Sequence, residues 1–258
     1  MSDYGNYHGN HANKRSMIGE GRFADVIELL HLSLKLQLGK FYWAWPLLPL
    51  AWPLVIFLAE ASGIANLDTP TPAMAQNVYI GIPIYILAIA IGMQLISSEI
   101  EARTLEVCYT VPGGAQRIWL SKLAAAVLLL CVAILLVALF CRIVYTSFPP
   151  AVLYRVLQGT LFFLTLSMGA GALFRNKMTA GLVSLVALFF TGAITGFGQT
   201  HPRFTPFFNP LGLVQSMSPE DLLYYLLQNH VGFAMIIATF VILSFARVER
   251  RELMLSDD

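Results

Sequence analysis

The chain has 258 residues, 57% of them hydrophobic and only 12% charged, with a mean hydropathy of +0.68. A soluble domain carries about 25% charged residues, so a water-soluble globular protein is excluded and an integral membrane protein is expected. A net charge of +1 gives no global basic field of the kind that binds nucleic acid, and no nucleic-acid partner is expected.

The first stretch, "MSDYGNYHGNHANKRSMIGEG", is polar, rich in Gly and Asn, and without periodicity. Residues 1–22 therefore read as a disordered tail, and His8 and His11 as solvated rather than metal-binding. Over 23–40 the run "LHLSLKLQL" alternates as a strand would. Wound as a helix, it places Ile27, Leu30, Leu34 and Leu38 on one stripe and Leu29, Leu32 and Leu36 on the opposite one. Glu28, His31 and Lys35 fill one flank, and Ser33, Gln37 and Lys40 the other. A lone strand beside a bilayer would leave backbone groups unpaired. An amphipathic connecting helix along the inner membrane surface is expected instead, with lipid on one stripe and protein on the other.

Residues 41–246 hold six segments long enough to cross a hydrocarbon core of about 30 Å, near 41–59, 78–97, 123–145, 152–174, 178–198 and 231–246. The first opens with aromatic residues suited to an interface and carries Pro46, Pro49 and Pro53 close to one face, which predicts a kink. "TSFPP" and "FRNKM" are too short for anything but tight antiparallel hairpins. Gly159, Gly169, Ala170, Gly171, Gly181, Gly192 and Gly196 predict close helix–helix approach along the fourth and fifth segments. The longest connection, 199–230, contains "SPED", with Ser218 as N-cap, Pro219 at N1 and Asp221 in the first turn. "LLYYLLQ" then predicts a short apolar helix that dips into the outer leaflet before the last span, and 247–258 is a charged tail.

Lys and Arg set the orientation. Placing the N-terminus inside puts 13 of the 16 basic residues on the inner side and leaves Arg142, Arg155 and Arg203 outside. Both termini are thus expected in the cytoplasm. The three cysteines suggest no disulfide framework, and Cys131 and Cys141 on one helix read as apolar packing.

The densest charge cluster, "SSEIEARTLEVCYTVPGG", follows the second span. On a helix Glu99, Arg103 and Glu106 are spaced i, i+4, i+7, so the arginine can bridge both carboxylates. Ile100, Val107 and Val111 form one apolar stripe beside them, and Glu101, Leu105 and Cys108 line up along another face. Pro112 disfavours helix at Val111, and Gly113 and Gly114 permit a sharp turn. "AQRIWLSK" restarts the helix, with Trp119 expected at the membrane interface and Arg117 and Lys122 holding the loop in water. Acidic residues contribute little to topology, so a patterned acidic and apolar face suggests a docking surface.

The stretch "SSEIEARTLEVCYTVPGGAQRIWLSKL" resembles the loop after the second span in permeases of type-2 ABC exporters, through Arg103-Thr104-Leu105-Glu106 and through Arg117 with Ser121-Lys122. "FNP" at Phe208 to Pro210 and the six-span plan with an N-terminal surface helix add to the likeness. The resemblance implies an all-α, polytopic permease in a bacterial-type inner (cytoplasmic) membrane, whose loop 98–121 forms a cytoplasmic coupling and gate helix elbow. It further implies that Glu99, Glu101, Arg103, Thr104, Leu105, Glu106 and Val107 relay motion from an ATPase. The partners implied are two ABC ATPase subunits per transporter and a second permease copy or paralogue. ATP and Mg would sit on the ATPase chain, in keeping with the lack of any G-x-x-x-x-G-K-[ST] phosphate cradle here. No catalytic residue, cofactor or metal is expected on this chain.

Two other classes compete. A proton-driven secondary transporter needs ionisable groups inside the membrane. The six proposed cores hold none, with Glu60, Arg142 and Arg155 expected at outer ends within reach of water. An intramembrane enzyme would need a nucleophile and base at one depth, and no such pair or H-E-x-x-H is present. His201 and His230 read as loop histidines. A membrane scaffold or assembly factor without ATP coupling stays open. Gln94, Gln158, Thr160, Thr165, Ser167, Ser184, Thr191 and Thr195 supply sparse polar groups along the spans, which favours an amphipathic, lipid-linked or drug-like cargo over a small ion.

Overall fold

The computed structural model describes residue 28 and residues 30–64, 71–101, 114–198, 204–213 and 217–249. Among these the chain is predominantly helical, with no strand, and six helices are long and apolar enough to cross a membrane. The expected tail at 1–22 lies outside the described residues; of the tail expected at 247–258, residues 247–249 continue the last helix and 250–258 lie outside the described residues.

The alternating leucines settle into a helix, α1, over 30–38. Leu38 is buried and Leu34 partly so, while Leu32 and Leu36 are exposed. The two stripes therefore differ in exposure as a helix requires. One polar flank behaves otherwise: Ser33 and Gln37 are buried, Ser33 against the Ser121 hydroxyl at 3.3 Å and Gln37 donating to the Ile91 carbonyl at 3.2 Å.

The first apolar helix, α2 (Tyr42–Ala61), changes its winding along its length. Tyr42–Leu50 is a 3-10 helix that becomes α-helical over Ala51–Ala61, and Pro46, Pro49 and Pro53 are all buried. Each proline lacks an N–H, and its ring collides with the carbonyl four residues back, so the tighter winding takes over where prolines recur.

Helix α3 (Pro72–Leu95) starts six residues earlier than hydropathy predicts. Thr71 caps it, its Oγ1 accepting from the Met74 N–H at 3.2 Å, and Pro72 occupies N1. Gln76 and Asn77, which read as loop, are buried within a π-helical stretch, Ala75–Gly81, directly before Pro83. Gln76 is satisfied from far away, donating to the Phe208 carbonyl at 3.1 Å. A short helix α4 (Ser97–Glu101) follows. Then come α5 (Gly114–Val144), α6 (Ala151–Phe174), α7 (Lys177–Thr195) and α8 (Pro219–Glu249). Only two residues join α6 to α7: Arg175 in the left-handed conformation (φ 56°), and Asn176, whose Oδ1 accepts from the Thr179 N–H at 3.0 Å.

The expected break before the last span does not exist. Ser218 caps α8 as predicted, accepting from the Asp221 N–H at 3.2 Å and donating to its carboxylate at 2.8 Å. From there one helix of 31 residues runs to Glu249, so the 199–230 connection ends by Ser218 and, among the described residues, holds no separate dipping helix. About 46 Å of helix exceeds the hydrocarbon core and reaches both polar faces of a bilayer. Gln228, Asn229 and His230 interrupt the hydropathy but not the helix, because Asn229 finds partners inside the bundle.

α3 and α6 form the centre: 67% and 61% of their most apolar stretches are buried, against 17% for α2 and 22% for α8. Glycine sets their spacing. A Cβ on Gly92 would meet the Leu164 carbonyl oxygen at 2.5 Å, and one on Gly159 would meet the Tyr85 ring. The Ser167 hydroxyl crosses between the two helices to the Ile89 carbonyl at 3.0 Å. Outside this centre α5 turns a full-length apolar stripe outward, Leu128, Val132, Leu135, Leu139 and Ile143. In water such a patch would drive association; facing lipid, it is where these side chains belong. Lys122 and Lys177 both reach α4, Arg175 lies two residues before Lys177, and Arg247 lies beside Leu173 and Phe174 at the end of α6, so these four gather at one end of the bundle, called here the basic end.

Candidate functional site

The predicted site follows α3 at the basic end. Gln94 and Ser98 each turn back onto the helix, Gln94 donating to the Ala90 carbonyl at 2.9 Å and Ser98 to that of Gln94 at 2.5 Å. The helix is interrupted at Ile96 (φ −116°, ψ −46°) and winds one further turn as α4. Ser97 comes so close to α6 that a Cβ on Gly171 would lie 2.4 Å from its hydroxyl.

α4 carries two glutamates, and each ties it to a different long helix. Glu99 is 8% exposed and faces α5. One of its carboxylate oxygens pairs with the Lys122 ammonium, and the other accepts from the Trp119 indole N–H at 2.5 Å. Trp119 and Lys122 are three residues apart and so share one face of α5. Lys122 is itself only 6% exposed, so two charges are removed from water together and satisfy each other. Glu101 faces α7. It accepts from the Lys177 backbone N–H at 3.0 Å and pairs with the Lys177 ammonium at 2.8 Å. Because Lys177 is the first residue of α7, the carboxylate also lies at the positive end of that helix's dipole. The Lys177 side chain, and then its backbone N–H, hold the Glu101 carboxyl below its ordinary range. Gln116, near the start of α5, donates to Glu249 at the end of α8. The basic end thus links α4, α5, α7 and α8 through polar side chains.

Of the expected relay residues, the structure brings Glu99 and Glu101 into this junction. Arg103, Thr104, Leu105, Glu106 and Val107 lie outside the described residues, as do Cys108 and the Pro112 turn. Both Glu99 oxygens already have partners on α5, a satisfaction the i, i+4, i+7 spacing does not anticipate. Two expectations about α5 change. Trp119 is 1% exposed rather than at an interface, and Lys122 neutralises a buried carboxylate rather than holding a loop in water. Both follow from the fold bringing Glu99 opposite residues 20 and 23 positions further on.

A second polar cluster lies toward the opposite end. Arg155, expected to reach water, is 7% exposed. Its Nη1 donates to Asn229 Oδ1 at 3.2 Å, and its guanidinium lies 5.3 Å from the centre of the Phe208 ring. Gln158 donates to the same Asn229 oxygen at 3.0 Å, while Gln158 Oε1 is buried without a partner. Phe207 and Phe208 are buried as well, so the 204–213 segment is folded into the bundle. Sequence reasoning missed this cluster. The available signals were "FNP", and the i, i+3 spacing of Arg155 and Gln158 on α6.

The hydroxyls along the spans form no polar track among the described residues. Thr160, Thr165, Ser184, Thr191 and Thr195 each donate to the carbonyl four residues back on their own helix. No group of three or more His, Cys, Asp or Glu that could hold a metal is present among the described residues. Cys131 and Cys141 are free thiols, Cys141 within the apolar core.

No protein-family model, no curated protein and no solved structure matches this chain. What fold and composition define together is an all-helical chain with six apolar, membrane-length helices, the make-up of a multi-pass membrane protein.

Proposed function

We propose that this chain is the transmembrane permease subunit of an ATP-driven exporter of the type-2 ABC kind, taking its motion from separate ATPase subunits through the loop after the second span. The carrying observation is the double tether of α4: Glu99 joins it to α5 at Trp119 and Lys122, and Glu101 joins it to the first residue of α7. A force applied to residues 102–113 would enter two membrane helices together, because α4 is short and is tied to both. Four basic residues gathered at that end agree with a cytoplasmic location by the positive-inside rule. The thinly covered first helix leaves an apolar groove of about 460 Å³ lined by Trp45, Trp52, Ile86 and Phe189, on a face a second permease copy could cover.

The buried Arg155 does not revive a proton-driven reading. A guanidinium keeps its proton and supplies a fixed charge rather than a relay.

Co-purification tests the proposal: an ABC ATPase should copurify and hydrolyse ATP faster with this chain than alone. Glu106→Arg should uncouple hydrolysis from transport while leaving membrane insertion intact. Normal transport by the combined Glu99→Ala, Arg103→Ala, Glu106→Arg chain would remove the loop from the mechanism.

A further inference from the structure

At the basic end a groove of about 450 Å³ opens between α6, α7 and α8. Its walls are apolar, among them Leu166, Leu173, Val183, Phe240 and Leu243. Small residues make the space: Gly169, Ala170 and Ala172 leave α6 without bulk, and a Cβ on Gly169 would stand 3.2 Å from the Ser244 hydroxyl. That hydroxyl is spent on the Phe240 carbonyl at 2.5 Å. One charged residue lines the groove, Arg247, and its Nε is buried without a hydrogen-bond partner.

A buried donor on a cation, left unpaired, costs more than the bond it would make, and it calls for an acceptor. The acceptor must be anionic to match the guanidinium and must continue into something apolar to fill the rest of the groove. Along α6 the walls run from Leu166 to Phe174, about 12 Å of helix. The groove therefore extends from the level of the basic residues inward toward the bilayer centre. A phosphate at a leaflet surface with a hydrocarbon chain descending from it has this shape and charge order, whereas a soluble anion has no use for the apolar walls. We infer that the groove is a binding site for an anionic phospholipid, its phosphate on Arg247 and one acyl chain between α6 and α8. The inference needs only the membrane character of the chain, not the exporter reading.

The test uses the purified full chain in detergent, observed by native mass spectrometry. Phosphatidylglycerol and phosphatidylcholine with identical acyl chains are added stepwise. Phosphatidylglycerol should bind at lower concentration, and Arg247→Gln should weaken it about fivefold, the ratio expected for one juxtamembrane cation, while weakening zwitterionic phosphatidylcholine less. Leu243→Trp, at an exposed position on the groove wall, should lower retention of both lipids by filling the space. Elution as a single species from a sizing column checks that each variant folds. An Arg247→Gln chain that keeps its full preference for phosphatidylglycerol overturns the proposal. So does a Leu243→Cys chain that cross-links to a second copy and retains no lipid, since the groove would then be an interface between copies.

Discussion

The two ends of the bundle each bury a charge, and they treat it differently. At the basic end Glu99 and Lys122 enter the interior together, with Trp119 taking the remaining carboxylate oxygen. At the other end Arg155 is buried to the same degree, yet it meets neutral groups, the Asn229 amide oxygen and the Phe208 ring. The first cluster is a closed pair in which each charge depends on the other. The second is an assembly around an amide oxygen that takes two donors, so no one donor is indispensable. Burial alone therefore says little about how strongly a charge holds a structure. What matters is whether its removal strands a partner.

Four substitutions probe this contrast by thermal unfolding of the purified chain. The largest effect is expected from Lys122→Met, which leaves a buried carboxylate uncompensated and should destabilise by about 3–5 kcal/mol. Adding Glu99→Leu to it should recover most of that loss; a double variant as unstable as the single one would mean that the pair is not the source of the cost. Next comes Asn229→Leu, expected to cost about 3 kcal/mol, because the donors on Arg155 and Gln158 both lose their acceptor. Arg155→Met should be milder, about 1–2 kcal/mol, since Gln158 still serves the Asn229 oxygen. If it proves as costly as Lys122→Met, the two ends are alike and the contrast is broken.

The smallest effect belongs to Glu101→Gln, at most about 1 kcal/mol for a partly exposed pair. Its pH dependence sharpens it. Lys177 holds the folded-state pKa of Glu101 below the ordinary carboxylate value of 4.5. The stabilisation is thus present above pH 4.5 and fades as pH falls through the lower folded value. The difference in unfolding temperature between Glu101→Gln and the parent chain should be largest near neutrality and vanish in acid. A difference that persists in acid would assign it to packing.

The particular misreadings follow one pattern. Hydropathy starts α3 at residue 78 because Gln76 and Asn77 look like loop, and it breaks the last helix at Gln228, Asn229 and His230 for the same reason. In both places a polar residue is held inside the bundle by a partner distant in sequence: Gln76 by the Phe208 carbonyl 132 positions away, and Asn229 by Arg155 and Gln158, more than seventy positions back. Arg155 and Trp119 are misjudged likewise, since a side chain's preference for an interface says nothing about a partner folded against it. Signals confined to one turn of chain fared better. Ser218 before Pro219 and Asp221 marked a helix start, and "FRNKM" a tight hairpin; the alternating leucines, strand-like by local pattern, form a helix over 30–38, as the cost of unpaired backbone beside a bilayer requires.

By itself the amino-acid sequence determined six apolar helices and the gathering of basic residues at one end, because helix length, hydropathy and the side on which a short connection falls are local properties of the chain. It also marked the acidic stretch after the second helix as unusual. Only the tertiary structure decided that Glu99 turns inward to α5 while Glu101 turns to α7, that Arg155 is enclosed, and that the Arg247 Nε is left without an acceptor beside an apolar groove. Those outcomes depend on which residues meet across the bundle, and the glycine-spaced crossing of α3 on α6 sets that meeting.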